Sequence, residues 1–281
     1  MSARPSPVRA VKHRLRGQPA SDGAGVKLTR VIGTRQFDGL DPFLMLDEFG
    51  SDRPGDYLAG FPEHPHRGFE TVTYMLDGRM RHRDNAGNEG LLEPGSVQWM
   101  TAGRGILHSE MPEQVEGLMR GFQLWVNLPA RDKMTAPRYQ EFPATAIPST
   151  ELAPGATAKV IAGRVGAVEG PVRAEATQAV YVDLILAAGA TAVVPLPEGH
   201  NAFAYVYEGA TRIGDEPIAR GELAVLETTG EFHVVAGEAG ARLILVAGRP
   251  LNEPVAKYGP FVMNTQAEII EAIHDFQAGR F

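Results

Sequence analysis

The sequence predicts an all-β protein made of two similar β-barrels in one chain, followed by a short C-terminal helix. Three features support this: short segments that alternate polar and apolar residues, frequent turn residues, and an internal echo between the two halves. Glycine (32) and proline (21) together exceed their usual share, which indicates many tight turns between short strands. The alternating segments lie at 26–32, 71–76, 122–126, 179–186 and 242–246.

The two halves of the chain resemble each other. Residues 204–209 repeat the pattern of 73–78, a strand that ends in an acid and a glycine, and a strand led by glycine follows in each half. The repeat distance of about 130 residues is too long for a solenoid and fits two domains. Prolines break the pattern between 129 and 154, which we interpret as a linker. The predicted domains are 1–135 and 136–281.

One helix is predicted, near the C-terminal end of the chain. Thr265 and Glu268 have the spacing of a capping box, which marks a helix start. Ile269, Ile270, Ile273 and Phe276 follow on one predicted face. We expect this apolar face to pack on a sheet.

Composition excludes several kinds of protein. A net charge of −7 argues against direct nucleic-acid binding, and the absence of cysteine excludes disulfides, zinc ribbons, iron–sulfur clusters and thiol nucleophiles. No apolar run is long enough to span a bilayer, so we expect no membrane association and a cytoplasmic location. Residues 1–33 do not form a secretory signal. We interpret their basic residues as a solvated arm: Arg4, Arg9, Lys12, Arg14 and Arg16.

Three of the eight histidines and a glutamate occur in two dense patches. In a strand, alternate side chains point the same way, so His64 and His66 share a face, as do His108 and Glu110. Two strands that each offer an inward pair can close a four-ligand metal site. Imidazole with carboxylate suits Fe(II), and also Mn, Co, Ni, Cu or Zn.

The strand parity extends beyond the first patch. If 64–76 is one extended run, an apolar barrel interior continues on the histidine face through Glu70, Val72, Tyr74 and Leu76. Trp99 and Trp125 are interpreted as core residues. Arg67 and Arg104 are either anion-orienting groups or solvent-facing charges.

The chain resembles the cupin superfamily and, within it, the pirin family. The segments that carry this resemblance are HPHRGFETVTY at 64–74, GSVQWMTAGRGILHSEM at 95–111, LWVNL at 124–128 and GPFVMNT at 259–265. LDPFL at 40–44 and EPV at 253–255 also look like pirin. The likeness runs from about residue 26 to the C-terminal end.

The resemblance implies a bicupin, two β-barrels packed face to face, in which only the N-terminal barrel binds a metal, usually iron. The pirin ligands fall on His64, His66, His108 and Glu110. The general cupin pattern instead takes its glutamate from the first motif, which is Glu70 here. That residue is then a supporting group or an alternative ligand.

This chain departs from the general cupin pattern in two further places. Leu58 stands where a glycine is expected, and Gly103 lies farther from His108 than usual. Both departures follow the pirin variant. In the C-terminal half the aligned positions offer no ligand set: Pro195, Pro197, Asn201, Val234 and Ala236.

The resemblance also implies an activity. Several pirins resemble quercetinases (quercetin 2,3-dioxygenases), which open the central ring of a flavonol with O2 and release carbon monoxide. In that reading Fe(II) is the cofactor, and Glu110 is both a ligand and the base that takes the 3-hydroxyl proton. The alternative is a non-enzymatic, redox-sensitive iron protein that binds a protein partner. A cupin of other chemistry, such as a sugar isomerase, is a third reading. We expect a monomer.

Overall fold

The computed structural model describes residues 7–281. Its strands are β1 (Val11–Arg16), β2 (Gln18–Asp22), β3 (Val26–Ile32), β4 (Phe43–Ser51), β5 (Phe61–His66), β6 (Phe69–Asp77), β7 (Met80–Asp84), β8 (Glu89–Leu92), β9 (Val97–Thr101), β10 (Ile106–Pro112), β11 (Met119–Asn127), β12 (Arg138–Phe142), β13 (Ser149–Ala153), β14 (Ala156–Ala162), β15 (Arg164–Val165), β16 (Val168–Glu169), β17 (Val180–Leu186), β18 (Thr191–Pro195), β19 (Asn201–Ile213), β20 (Glu216–Ala219), β21 (Glu222–Leu226), β22 (Glu231–Gly248), β23 (Ala256–Tyr258) and β24 (Phe261–Met263). The α-helix α1 spans Gln266–Gln277, and short 3-10 turns lie at Pro54–Asp56, Ala130–Asp132 and Ala144–Ala146. Within 7–281, no helix has both the length and the apolar character that crossing a membrane requires.

The chain forms two compact units, and each is assembled from two separate stretches. The histidine unit comprises Gln18–Thr145 and Leu251–Phe281. The aliphatic unit comprises the described residues up to Gly17 together with Ala146–Pro250. The units therefore differ from two contiguous domains divided at 135/136, because the N-terminal strand and the C-terminal segment each belong to the other half's unit.

The main sheets of the two units share one strand order. In the histidine unit the order is β12-β9-β6-β11-β4-β3-β2, and in the aliphatic unit it is β1-β21-β19-β22-β17-β14-β13. The predicted repeat aligns β6 with β19 and β9 with β21, and these strands occupy equivalent places. The internal duplication and the mostly-β, two-cupin fold are thereby confirmed. The histidine unit adds a second sheet, β5-β10-β7-β8.

The expectation about the linker is wrong, and the one about the basic N-terminal residues holds only in part. The predicted linker contains β12 and β13, which pair with β9 and β14 at the edges of the two main sheets. Of the predicted solvated arm, Arg4 lies outside the described residues, and Lys12, Arg14 and Arg16 are exposed as expected although β1 pairs with β21. The expectation is wrong for Arg9. The side chain of Arg9 is fully buried and donates to the carbonyl oxygens of Leu196, Pro197, His200, Glu227 and Gly230. A buried guanidinium is tolerated there because backbone oxygens satisfy its donors.

The C-terminal helix begins as predicted, with the full capping box of Thr265 and Glu268. Its buried face differs from the prediction. Ile269 and Ala272 are buried against Phe261 and Met263, whereas Ile270 is 51% exposed. Residues 269 and 272 are three apart and share a side of the helix, while residue 270 lies about 100° away.

Candidate metal centre

The three predicted histidines converge in the histidine unit, on two paired strands of its smaller sheet. His64 on β5 lies directly opposite His108 on β10, and His66 lies two residues along β5. One ring nitrogen from each of the three lies within 4.8 Å of the others. A single ion can therefore contact all three imidazoles after small side-chain adjustments.

Burial keeps two of these imidazoles neutral. Desolvation, followed by the neighbouring imidazoles, holds the pKa of His66 and of His108 well below its ordinary value. Neither nitrogen of His108 has a hydrogen-bond partner among the described residues, and neither has His66 Nδ1. Buried polar atoms are nearly always satisfied, so these orphaned nitrogens fit a metal-binding role. Neutral imidazole is the form that binds metals, and the donor set fits a divalent transition metal.

His64 is oriented by the backbone. Its Nδ1 lies 2.8 Å from the carbonyl oxygen of Pro62, to which it donates, and this fixes the tautomer with a free lone pair on Nε2. That Nε2 faces His66 Nε2 at 3.0 Å. A carbonyl partner on the outer ring nitrogen is the usual support of a metal-binding histidine.

Glu110 is buried beside the histidines but is not part of their 4.8 Å group. Its Oε2 accepts from Gln123 Nε2 at 3.0 Å, and its Oε1 lies 2.8 Å from the Thr73 hydroxyl. The Thr73 hydroxyl also lies 2.7 Å from Gln123 Oε1. Residues from β6 and β11 thus hold the carboxylate beside the histidines.

The strand parity predicted across 64–76 is wrong, and Gly68 is the cause. Its φ of +89° ends β5, and a Cβ there would lie 2.0 Å from the carbonyl oxygen of Val262. The following strand, β6, belongs to the other sheet, so Phe69 and Thr73 point toward the histidines. Glu70 points to the opposite side, where it accepts a 2.7 Å hydrogen bond from Thr101.

A cavity of about 650 Å³ opens from the histidines, a size typical of small-molecule sites. Its apolar lining includes Leu44, Met45, Phe49, Met80 and Trp125. The prediction that both tryptophans are core residues holds for Trp99, which is buried, and is wrong for Trp125. The Trp125 ring lies 5.4 Å from His66 and 4.4 Å from Phe69, so it forms a wall of the cavity.

Arg67 neither faces solvent nor reaches the cavity. Its buried guanidinium pairs with Asp275 of α1 at 2.8 Å, donates to the Arg104 carbonyl and lies 4.4 Å from the centre of the Phe281 ring. Arg67 thus connects the C-terminal segment to the chain just after His66 and to Arg104, which precedes β10.

Sequence reasoning missed a row of polar side chains across the main sheet. Cross-strand pairing places the following residues side by side: Gln98, Thr73, Gln123, Asp47 and Arg30. The signal was present in β6 and β11, where polar Thr73 and Gln123 alternate with buried apolar neighbours. Only the long-range register shows that they form one row.

A second titratable pair lies beside the row. His82 on β7 is buried, and its Nε2 lies 2.6 Å from Glu141 Oε2, which also accepts from Gln98. His82 pairs across the sheet with Glu110. His82 therefore lies on the strand next to Glu110, and its pairing with Glu141 supports the position of Glu110.

The family models agree with this geometry. One described as Pirin matches residues 25–126, and one described as Pirin C-terminal cupin domain matches residues 181–281. The chain belongs to the pirin family. Its relatives include a Pseudomonas aeruginosa protein named "Putative quercetin 2,3-dioxygenase", 55% identical over 94% of both chains. A "Pirin-like protein" of Caulobacter vibrioides is 52% identical over 98% of this chain and all of its own.

Among solved structures, this pirin is similar to a quercetin 2,3-dioxygenase from Acinetobacter baumannii. The two share 36% identity and a TM-score of 0.91, with coverage of 98% of this chain and 99% of the other. In the aliphatic unit of this pirin, Val234 and Ala236 lie in an apolar core, at the places aligned with His108 and Glu110.

Proposed function

We propose that this pirin is a metal-dependent dioxygenase that opens the ring of a flavonol such as quercetin, with Fe(II) as its metal. The observation that carries the proposal is the convergence of His64, His66 and His108, the last two with orphaned nitrogens, beside a cavity of about 650 Å³ that His64 and His66 line. The quercetin dioxygenase names of relatives at 55% and 36% identity support the same activity.

The proposed ligands are the three histidines and Glu110. Imidazole nitrogens and a carboxylate suit Fe(II), although Ni, Cu, Mn, Co and Zn share this preference. An ion held by these residues would supply the redox couple that the reaction needs. Glu110 would join the same ion only by moving away from its hydrogen-bonded position, because its carboxylate lies outside the 4.8 Å group.

Glu110 also has the position of a general base. A carboxylate at the cavity wall can accept the proton of a substrate hydroxyl, and Thr73 and Gln123 hold it in place for that transfer. Proton removal makes the flavonol easier to oxidise. The apolar walls, Trp125 among them, pack against the rings and exclude water.

The test is oxygen uptake by iron-reconstituted protein given quercetin, with the loss of flavonol absorbance followed in parallel. We expect coupled consumption of the two substrates, and no consumption by His64→Ala. Iron bound without uptake would contradict the dioxygenase. Partner capture that depends on the iron oxidation state would then favour the regulator.

A further inference from the structure

The cavity has a second polar end, opposite in character to its apolar walls. Arg30 on β3 and Asp47 on β4 both line it. They lie directly opposite each other across the sheet and form a two-point ion pair, with Arg30 Nε 2.9 Å from Asp47 Oδ1 and Nη2 2.7 Å from Asp47 Oδ2. Asp22 accepts a further bond from Nη2 at 2.7 Å.

This pair is built into the wall. Asp47 is 2% exposed, and a bidentate carboxylate holds the guanidinium plane in one orientation. No hydrogen-bond partner of Arg30 Nη1 lies among residues 7–281, so two N–H groups of a fixed donor remain available at the cavity wall.

The register sets the distance from this pair to the candidate catalytic end. Gln123, which holds Glu110, is the cross-strand neighbour of Asp47, and Arg30 lies one strand farther. At about 4.8 Å per strand, the Arg30 backbone lies roughly 10 Å from that of Gln123, and its guanidinium is bonded to Asp47 on the strand between them. The guanidinium therefore lies on the side of the row away from Glu110, where a planar molecule of several rings with one end at the histidines can reach it.

The charge of the cavity restricts what the far end accepts. Five carboxylates line it: Asp22, Asp38, Asp47, Glu63 and Glu110. Among residues 7–281, two lysine or arginine side chains do so, Arg30 and Lys257, and each is already paired with an aspartate. The lining stays negative after a divalent cation binds, so an anionic substituent is repelled while a neutral hydroxyl can still accept from Arg30.

We propose that Arg30, held by Asp47, recognises a neutral hydroxyl group on the substrate ring farthest from the histidines, so that the cavity selects neutral polyphenols over aromatic carboxylates. This inference rests on the proposed function and adds a specificity-determining residue to it. A hydrogen bond to a charged donor should raise affinity about ten-fold or more for the ligand that carries the hydroxyl.

Binding to Zn(II)-loaded protein, which cannot undergo the redox reaction, tests the inference without turnover. Calorimetric titration would compare three flavonols: one with hydroxyls on the pendant ring, one without, and one with a carboxylate there. We expect the hydroxylated ligand to bind about ten-fold more tightly than the unsubstituted one, and the carboxylate more weakly than the hydroxyl. Equal affinities for the first two ligands, or tightest binding of the carboxylate, would overturn the inference.

Variants assign the effect to the residue. Arg30→Lys keeps the charge but loses the planar fork, so the ratio between the hydroxylated and unsubstituted ligands should fall to about one. A ratio that survives in a folded Arg30→Lys protein would overturn the assignment. Asp22→Asn, at a half-exposed position, removes one negative charge and should improve carboxylate binding, and no improvement would count against the charge argument. Oxygen uptake by the iron-loaded wild-type protein decides the proposed function separately.

Discussion

The two main sheets have the same strand order, but at equivalent positions one carries polar side chains and the other carries aliphatic ones. The central row of the histidine unit reads Gln98, Thr73, Gln123, Asp47 and Arg30 across five neighbouring strands. The equivalent row of the aliphatic unit reads Ala224, Ala204, Leu245, Val182 and Val160, paired in the same order. The residue types in this one row therefore decide whether the sheet forms a hydrogen-bonded cavity wall or a packed apolar core.

The difference shows where the fold can carry chemistry. Aliphatic side chains need no hydrogen-bond partners, and in the aliphatic unit they pack against one another in a buried cluster. Polar side chains in the same places must each find a partner, and here those partners are Glu110, neighbouring members of the row and the ligand that the cavity admits. The same scaffold occurs twice in the described residues, and in the histidine unit members of the polar row line the cavity.

The largest expected effect comes from removing one of the proposed metal ligands of the histidine unit. His108→Ala should weaken metal binding by more than about 100-fold, because loss of a supporting residue alone costs 10- to 100-fold. His233→Ala, in the aliphatic unit, is the matched control and should leave metal content unchanged. Elemental analysis after dialysis against a weak chelator measures both. Equal loss in the two variants would contradict the distinction between the units.

Glu110→Gln tests the base. The amide keeps the shape of the side chain, and three histidines remain, so some metal should stay bound while turnover falls about 100-fold or more. Metal content and the rate of flavonol loss, measured on one preparation, separate the two roles. Full activity in this variant would exclude Glu110 as the base.

Much of this could be predicted from the sequence. Four of the five alternating segments lie within observed strands and the fifth, 179–186, begins one residue before its strand; the capping box and the internal repeat were legible because each is a local pattern. His64, His66 and His108 could be grouped because short spacing within a strand determines which side chains share a face.

The rest depends on distant pairing. Gly68 moves the chain into another sheet and reverses the predicted parity, although nothing in the local pattern marks the break. Arg9 reads as a surface charge until five carbonyl oxygens from residues 196–230 surround it. The polar row appears only when the register of five strands is known.

Thr73→Ala makes the polar row of the histidine unit more like the equivalent row of the aliphatic unit, where Ala204 holds the aligned place. Loss of the hydroxyl removes one of the two side chains that hold Glu110 for proton transfer, so turnover should fall about ten-fold while metal content stays unchanged. Thr73→Ser is the matched control, since it loses the methyl group and keeps the hydroxyl. The rate of flavonol loss and the bound metal, measured on one preparation, test this, and equal rates in the two variants would show that the hydroxyl is unimportant.

Low pH should lower the stability of the histidine unit more than that of the aliphatic unit. The pKa of His66 and of His108 is lowered in the fold, mainly by burial, so the unfolded chain binds more protons below about pH 6.5. The metal-free protein should therefore lose stability as pH falls below that value, and not above it. Hydrogen exchange at pH 5 and pH 7.5 should show the greater loss of protection in the histidine unit. Greater loss in the aliphatic unit would contradict the burial argument.

We expect the histidine unit to hold one metal and the aliphatic unit none. Anaerobic titration of the metal-free protein with Fe(II), with bound iron counted per chain, tests this difference. We predict one iron per chain in the wild-type protein and in His233→Ala, and none in His108→Ala. Two irons per chain, or one iron retained by His108→Ala, would contradict it.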